Sequence, residues 1–245
     1  MSSFFPFAYL AFFILLLSRF ACAQSTIEYL DENRKVSSPQ QASYILTFNK
    51  KEKNVYTQEE RFASGELRAT GEVKSLKRRK RQGYWNQYYK NGKKDSEGEY
   101  RKGKREGTWK WYHESGGIAA VEEYASDHLV SAKHFDQEGH FVEQTKVEEQ
   151  PAPSEGMEKF YSYVSHHLVY PEVALKAGER GKVFVQFVVE KDGTVSNVVA
   201  LNPKTGRHIS QAAVEVVKSS PRWVPGKQHN RPVRVRMVLP ITFSL

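Results

Sequence analysis

Five consecutive cations, Lys77-Arg78-Arg79-Lys80-Arg81, are the densest cluster of chemistry-bearing side chains in the sequence. Such a run offers point charges and forked donors to phosphate or carboxylate oxygens, so residues 77–81 form a candidate anion-binding loop for lipid or glycan phosphate. A solvated hairpin loop is the plainer reading of a lone basic run. His166-His167 invites a test as a metal site. Adjacent helical residues point apart, however, and no carboxylate or further histidine completes a ligand set, so no metal is assigned. The sequence contains no G-x-S-x-G, no H-E-x-x-H and no phosphate-binding glycine loop, and neither a catalytic residue nor a cofactor is expected.

Cys22 is the single cysteine. It follows an apolar run from Phe4 to Leu17 and lies within Ala21-Cys22-Ala23, a small-residue triplet typical of signal-peptide cleavage, here before Gln24. The run is shorter than the roughly 20 apolar residues of a membrane span. Export with removal of residues 1–23 is the expectation, which places the mature chain in the periplasm or cell envelope without a thiol. The alternatives are a retained membrane anchor and a lipidated Cys22, although Arg19 occupies the position where a lipoprotein signal has a Leu-like residue. Loss of Arg19 lowers the formal net charge from +9 to +8. A basic surface favours anionic partners. For an exported protein these are lipid, polysaccharide or acidic peptide, and not nucleic acid.

The elements that would carry these residues fall into two parts. Gly83, Trp85, Tyr88 and Gly92 return as Gly107, Trp109, Tyr112 and Gly116, each 24 positions later, and Glu99-Tyr100 returns as Glu123-Tyr124. Alternating aromatic and polar residues bounded by Gly and Asn signal hairpins, so residues 24–143 are expected to form a β-meander. The unit G-x-W-x-x-Y-Y-x-N-G-K followed by E-G-x-Y-x-x-G-K-x-x-G resembles MORN-type repeats of the bacterial antitoxin-like kind over residues 55–142. Trp85, Trp109, Tyr88 and Tyr112 are expected at equivalent inward positions.

Residues 144–156, rich in Pro and Glu with little to bury, read as a linker. Beyond it the periodicity changes. Phe160, Val164, His167 and Leu168 fit a helical face, Glu172 to Ala177 a short helix, and Lys182 to Val189 a strand turning at Asp192-Gly193. Ile209, Ala212, Ala213, Val216 and Val217 mark an amphipathic helix stopped at Ser220-Pro221, and the alternation around Val233 to Leu239 marks a final strand. Residues 157–245 are thus an α+β unit with helices on one face of an antiparallel sheet.

Landmarks in this unit resemble the TonB C-terminal domain family: Tyr170-Pro171; Gly181-x-Val183-x-Val185-x-Phe187-Val188-Val189 with Asp192-Gly193; Pro221-Arg222-Trp223-x-Pro225-Gly226-Lys227; and Pro232-Val233-x-Val235-Arg236-x-x-x-Pro240-Ile241-x-Phe243. The resemblance implies a non-enzymatic domain that adds an extended partner segment to a sheet edge, as TonB does with outer-membrane receptors. Val233, Arg234, Val235, Arg236, Met237 and Val238 are the resulting docking candidates, with Arg234 and Arg236 facing outward, where charge also discourages aggregation. Other envelope proteins are further partners of this kind. Two alternatives stand beside it: a membrane-anchored TonB energy transducer, and an envelope scaffold binding lipid or glycan through its repeats.

Overall fold

A computed structural model describes residues 25–143 and 148–244. Phe4–Leu17, the cleavage site and Cys22 lie outside the described residues, and no described helix is long and apolar enough to cross a membrane.

The N-terminal part is one antiparallel sheet of ten strands in sequential order. They are β1 (Ser25–Leu30), β2 (Tyr44–Glu52), β3 (Val55–Phe62), β4 (Leu67–Lys74), β5 (Lys80–Tyr88), β6 (Lys94–Arg101), β7 (Lys104–Tyr112), β8 (Ile118–Ala125), β9 (His128–Phe135) and β10 (Phe141–Val142). The expected β-meander is therefore present. Its core is built by aromatics inserted over glycines. Trp85 and Trp109 are each 1% exposed, and a Cβ on Gly71 or Gly98 would stand 2.2 or 2.3 Å from the respective indole. Trp85 Nε1 donates to the Glu72 carbonyl and Trp109 Nε1 to that of Glu99, both at 3.1 Å. Each indole thus buries its body while its one polar group is satisfied.

Tyr88 and Tyr112 do not share the tryptophans' position. Tyr112 donates to Glu97 Oε1, and Glu97 faces away from the Gly98 side where Trp109 lies. The two-residue alternation of a strand puts Tyr88 opposite Trp85 as well, and both tyrosines are half-buried.

The C-terminal part contains β11 (Glu148–Glu149), β12 (Ala152–Pro153), α1 (Met157–His167), α2 (Glu172–Lys176), β13 (Gly181–Val189), β14 (Val195–Ala200), α3 (Arg207–Lys218), β15 (Trp223–Val224), β16 (Gly226–Gln228), β17 (Arg231–Val233) and β18 (Val235–Phe243). Its main sheet has the order β14-β13-β18. Phe160, Val164, Ile209, Ala213, Val216 and Val217 from α1 and α3 pack on Val183, Val185, Phe187, Val189, Leu239, Ile241 and Phe243. Trp223 closes this core against Phe160 and Phe187, with ring centroids 5.2 and 5.3 Å away. His167 lies outside that core: it is exposed and stacks on Tyr163.

Residues 148–156 are not a free linker. Glu148–Glu149 pairs with β16 and Ala152–Pro153 with β15, while Pro151 and Pro153 are buried. Prolines suit such short edge pairings, where a missing donor costs little and the ring adds apolar contact. A second junction crosses from the β16–β17 turn into the meander. His229 stacks on Trp111 at 3.9 Å and 13°, its Nδ1 lies 2.9 Å from Glu122 Oε1, and Asn230 Nδ2 donates to the Phe135 carbonyl at 2.7 Å. Arg231 reaches Asp95, the Tyr89 hydroxyl at 3.0 Å and the Tyr112 carbonyl at 3.2 Å.

Candidate docking edge of the C-terminal unit

The terminal strand is shifted relative to the sequence expectation. Val233 ends β17 and pairs with Gly226, Arg234 interrupts the chain, and β18 runs from Val235 to Phe243, paired with β13 along its whole length. The break coincides with a contact to a residue 44 positions away. Arg234 binds Glu190 with both ends of its guanidinium, at 2.6 and 2.9 Å, which fixes the chain beside the turn that follows β13. The Arg234 hydrogen bond, aided by the Ser196 hydroxyl, holds the Glu190 carboxyl below the usual range.

Val235, Met237, Leu239, Ile241 and Phe243 face the helices or the core, and Arg236, Val238 and Pro240 are exposed. Arg234 and Arg236 thus face outward as expected, while Val238 belongs to the outer row. Beside it the outer sheet face carries further apolar surface, with Phe184 at 41%, Val199 at 46% and Val238 at 45% exposed.

The backbone polarity of β18 follows from two observations. Pro240, which has no N–H, sits opposite Phe184, and the Phe184 carbonyl accepts from Leu201 N at 2.9 Å, on the β14 side. In an antiparallel ladder both polar groups of one residue point the same way and alternate along the strand. Phe184 therefore turns from β18, Pro240 turns from β13, and Arg236, Val238 and Thr242, at the same parity without a register break, aim their N–H and C=O groups at the open edge.

The landmark residues support this sheet. Tyr170 packs edge-on against Phe243 at 5.4 Å and donates to the Glu179 carbonyl. The Glu179 carboxylate accepts from His208 N and Ile209 N at 3.0 and 3.2 Å, capping α3. At Gly193 φ is +81° and a Cβ would stand 2.0 Å from the Trp223 carbonyl, so only glycine fits that turn. Residues 166–245 match the family described as Gram-negative bacterial TonB protein C-terminal. The match supports a TonB C-terminal domain at residues 166–245. TonB from Helicobacter pylori strain ATCC 700392 / 26695 is 28% identical over 92 residues, which cover 38% of this chain and 31% of that protein, and TonB from strain J99 / ATCC 700824 gives the same figures. The solution structure of the Helicobacter pylori TonB C-terminal domain is 28% identical, covering 36% of this chain and 78% of that one with a TM-score of 0.29. The chain spans about a third of the length of the relatives it matches, and the domain assignment rests on the sequence match.

The other sequence-derived candidates are distributed differently. Within the basic run, Arg79 is committed to Glu28 of β1, and Arg81 stacks on Trp85 at 4.5 Å and donates to the Tyr100 hydroxyl at 2.9 Å. Lys77, Arg78 and Lys80 face solvent. The five cations are therefore not one loop: Lys80 and Arg81 already belong to β5. His166 Nδ1 and His167 Nδ1 each donate to a carbonyl one turn back, Ser162 at 2.7 Å and Tyr163 at 2.9 Å.

Sequence reading missed the Glu122, His134 and His229 cluster. These side chains are 0, 1 and 9% exposed. The available signal was Gln228-His229-Asn230-Arg231, where an Asn in a two-residue turn marks the left-handed backbone that both His229 and Asn230 adopt.

Proposed function

We propose that the TonB-like unit binds an extended segment of a partner envelope protein by strand addition along the open edge of β18, in a role linked to TonB-dependent outer-membrane transport and without turnover or cofactor. The observation that carries this reading is the outward set of backbone groups at Arg236, Val238 and Thr242 on a strand that has one neighbour, β13, among the described residues. A partner strand would gain main-chain hydrogen bonds there, and the apolar row of Phe184, Val199 and Val238 would select its side chains. The N-terminal meander fits a MORN-type repeat scaffold, supported by the recurring contacts of Gly71 with Trp85 and Gly98 with Trp109.

The test uses proline placement. Arg236→Pro or Val238→Pro removes an outward N–H and leaves the ladder to β13 intact, whereas Met237→Pro breaks that ladder. Binding of a synthetic peptide copied from the periplasmic N-terminal segment of an outer-membrane receptor is measured by calorimetry. The expected result is loss of binding in outward-proline variants that unfold at the wild-type temperature. Full affinity in a folded Val238→Pro variant would remove this edge from consideration.

A further inference from the structure

Turns of a meander alternate between its two ends, and in this one the charges segregate with them. The β2–β3, β4–β5, β6–β7 and β8–β9 turns lie at one end and are joined in series: Ser75 N donates to the Asn54 carbonyl, Gly103 N to Arg81 and Asp127 N to Arg105. Residues 50–54, 74–81, 101–105 and 126–128 hold thirteen Lys and Arg against two acidic residues, a local excess larger than the +9 of the whole chain. At the opposite end, residues 31–43, 63–66, 89–93, 113–117 and 136–140 hold four Lys and Arg against six Asp and Glu. Lys53, Lys77, Arg78, Lys80, Lys102 and Lys104 on the basic rim are exposed, and none forms an ion pair among the described residues. Lys74 and Lys80 even face each other as a cross-strand pair, an arrangement that costs stability unless an anion lies against it.

The geometry distinguishes among anions. Successive turns on one end are two strands apart, about 10 Å, so the rim spreads its charge over about 30 Å. Arg101, Lys102 and Lys104 line one open hollow together with Glu106 and Ser126, but the remaining cations of the rim belong to the other turns and do not converge on that point. A row of separated charges matches a surface of many headgroups.

The TonB-like unit is anchored at the other end, through Arg231 to Tyr89, Asp95 and the Tyr112 carbonyl, Asn230 to the Phe135 carbonyl, and Lys191 to Glu114 at 3.5 Å. Strands of eight or nine residues separate the two ends, about 25–30 Å at the usual rise.

We infer that the basic rim docks on the phosphates of an anionic phospholipid surface, and that the meander is a rigid spacer holding the TonB-like unit away from that surface. Phospholipid is the source because the TonB relationship places this chemistry in the cell envelope. The inference is independent of the peptide edge, which lies in the other unit.

Sedimentation of the full chain with vesicles of phosphatidylcholine, with and without about one-third phosphatidylglycerol, tests it. Binding is expected only to the anionic vesicles and is lost at high salt as the charges are screened. Lys77→Gln/Arg78→Gln/Lys80→Gln should lower the partition coefficient by roughly a hundredfold, and the control Lys35→Gln/Lys90→Gln/Lys176→Gln, with the same loss of charge, by less than about threefold. Equal losses in the two variants, or equal binding to neutral vesicles, would overturn the proposal. So would displacement by inorganic phosphate at constant ionic strength, which would mean a single-anion pocket, or tighter binding to single-stranded RNA than to anionic vesicles. Orientation has its own readout: in a Cys22→Ser background, a fluorophore at Lys53→Cys is quenched by spin-labelled lipid and one at Ser154→Cys is not. Equal quenching at both sites rejects the spacer.

Discussion

His229 and Glu122 are 107 residues apart in the chain, and the imidazole Nδ1 lies 2.9 Å from a Glu122 carboxylate oxygen while the ring stacks on Trp111. Glu122 also accepts from the Tyr124 hydroxyl at 2.7 Å, and His134 Nε2 stands 3.5 Å away. A carboxylate with no exposed surface is tolerated only with such partners. This cluster makes the β16–β17 turn a plug in the meander and ties the position of the TonB-like unit to the sheet.

Removing the centre of that cluster leaves His229, His134 and Tyr124 buried beside a void. Glu122→Ala is expected to cost about 3–5 kcal/mol in urea unfolding, the range for breaking a buried charged pair. A loss below about 1 kcal/mol would show that the plug contributes little to the fold.

The same carboxylate gives a pH signature. Burial pushes the Glu122 carboxyl up, but hydrogen bonding and charge from His229, with Tyr124 and His134, prevail and hold it below its ordinary value of 4.5. A depressed folded-state value means the stabilisation is complete above the unfolded-state value and is lost as pH falls through the folded-state value. Denaturation midpoints of the wild type and Glu122→Gln should therefore differ at neutral pH and converge below about pH 4.5. A difference that is constant down to acid-induced unfolding would contradict the assignment.

The glycines under the tryptophans should resist substitution. Gly98→Ala would set a methyl 2.3 Å from the Trp109 indole and should lower stability by about 1–3 kcal/mol through overpacking. Gly117→Ala, whose added carbon would meet nothing nearer than 3.9 Å, should be close to neutral. Trp109→Ala should cost roughly 3–5 kcal/mol. Thermal unfolding of the three variants ranks them, and equal shifts for Gly98 and Gly117 would refute the packing account.

Arg234 separates structural from binding effects. Arg234 is 56% exposed in its pair with Glu190, so Arg234→Ala should change stability by about 1 kcal/mol or less. If Arg234 attracts an acidic partner segment, the variant should bind it more weakly at low salt and equally at high salt. A salt-independent loss would place Arg234 in direct contact with the segment.

Local signals in the sequence determined the meander, the helix and strand order of the C-terminal unit, its Gly193 turn and the match of residues 166–245 to the TonB C-terminal family, because each rests on alternation, turn chemistry or spacing between near neighbours. Tertiary structure decided what depends on distant partners. The final strand, expected over Val233 to Leu239, runs from Val235 to Phe243, with Arg234 turned out of the ladder to meet Glu190. Tyr88 and Tyr112 are the exception, since strand alternation, itself a local rule, puts a residue three from each tryptophan on the other face. The expected linker became paired strands because β15 and β16 offered it edges. The Glu122–His229 contact and the basic rim are the clearest cases: burial of a charge and the summing of charge from separate turns are set by packing and sheet topology, which no local run of residues encodes.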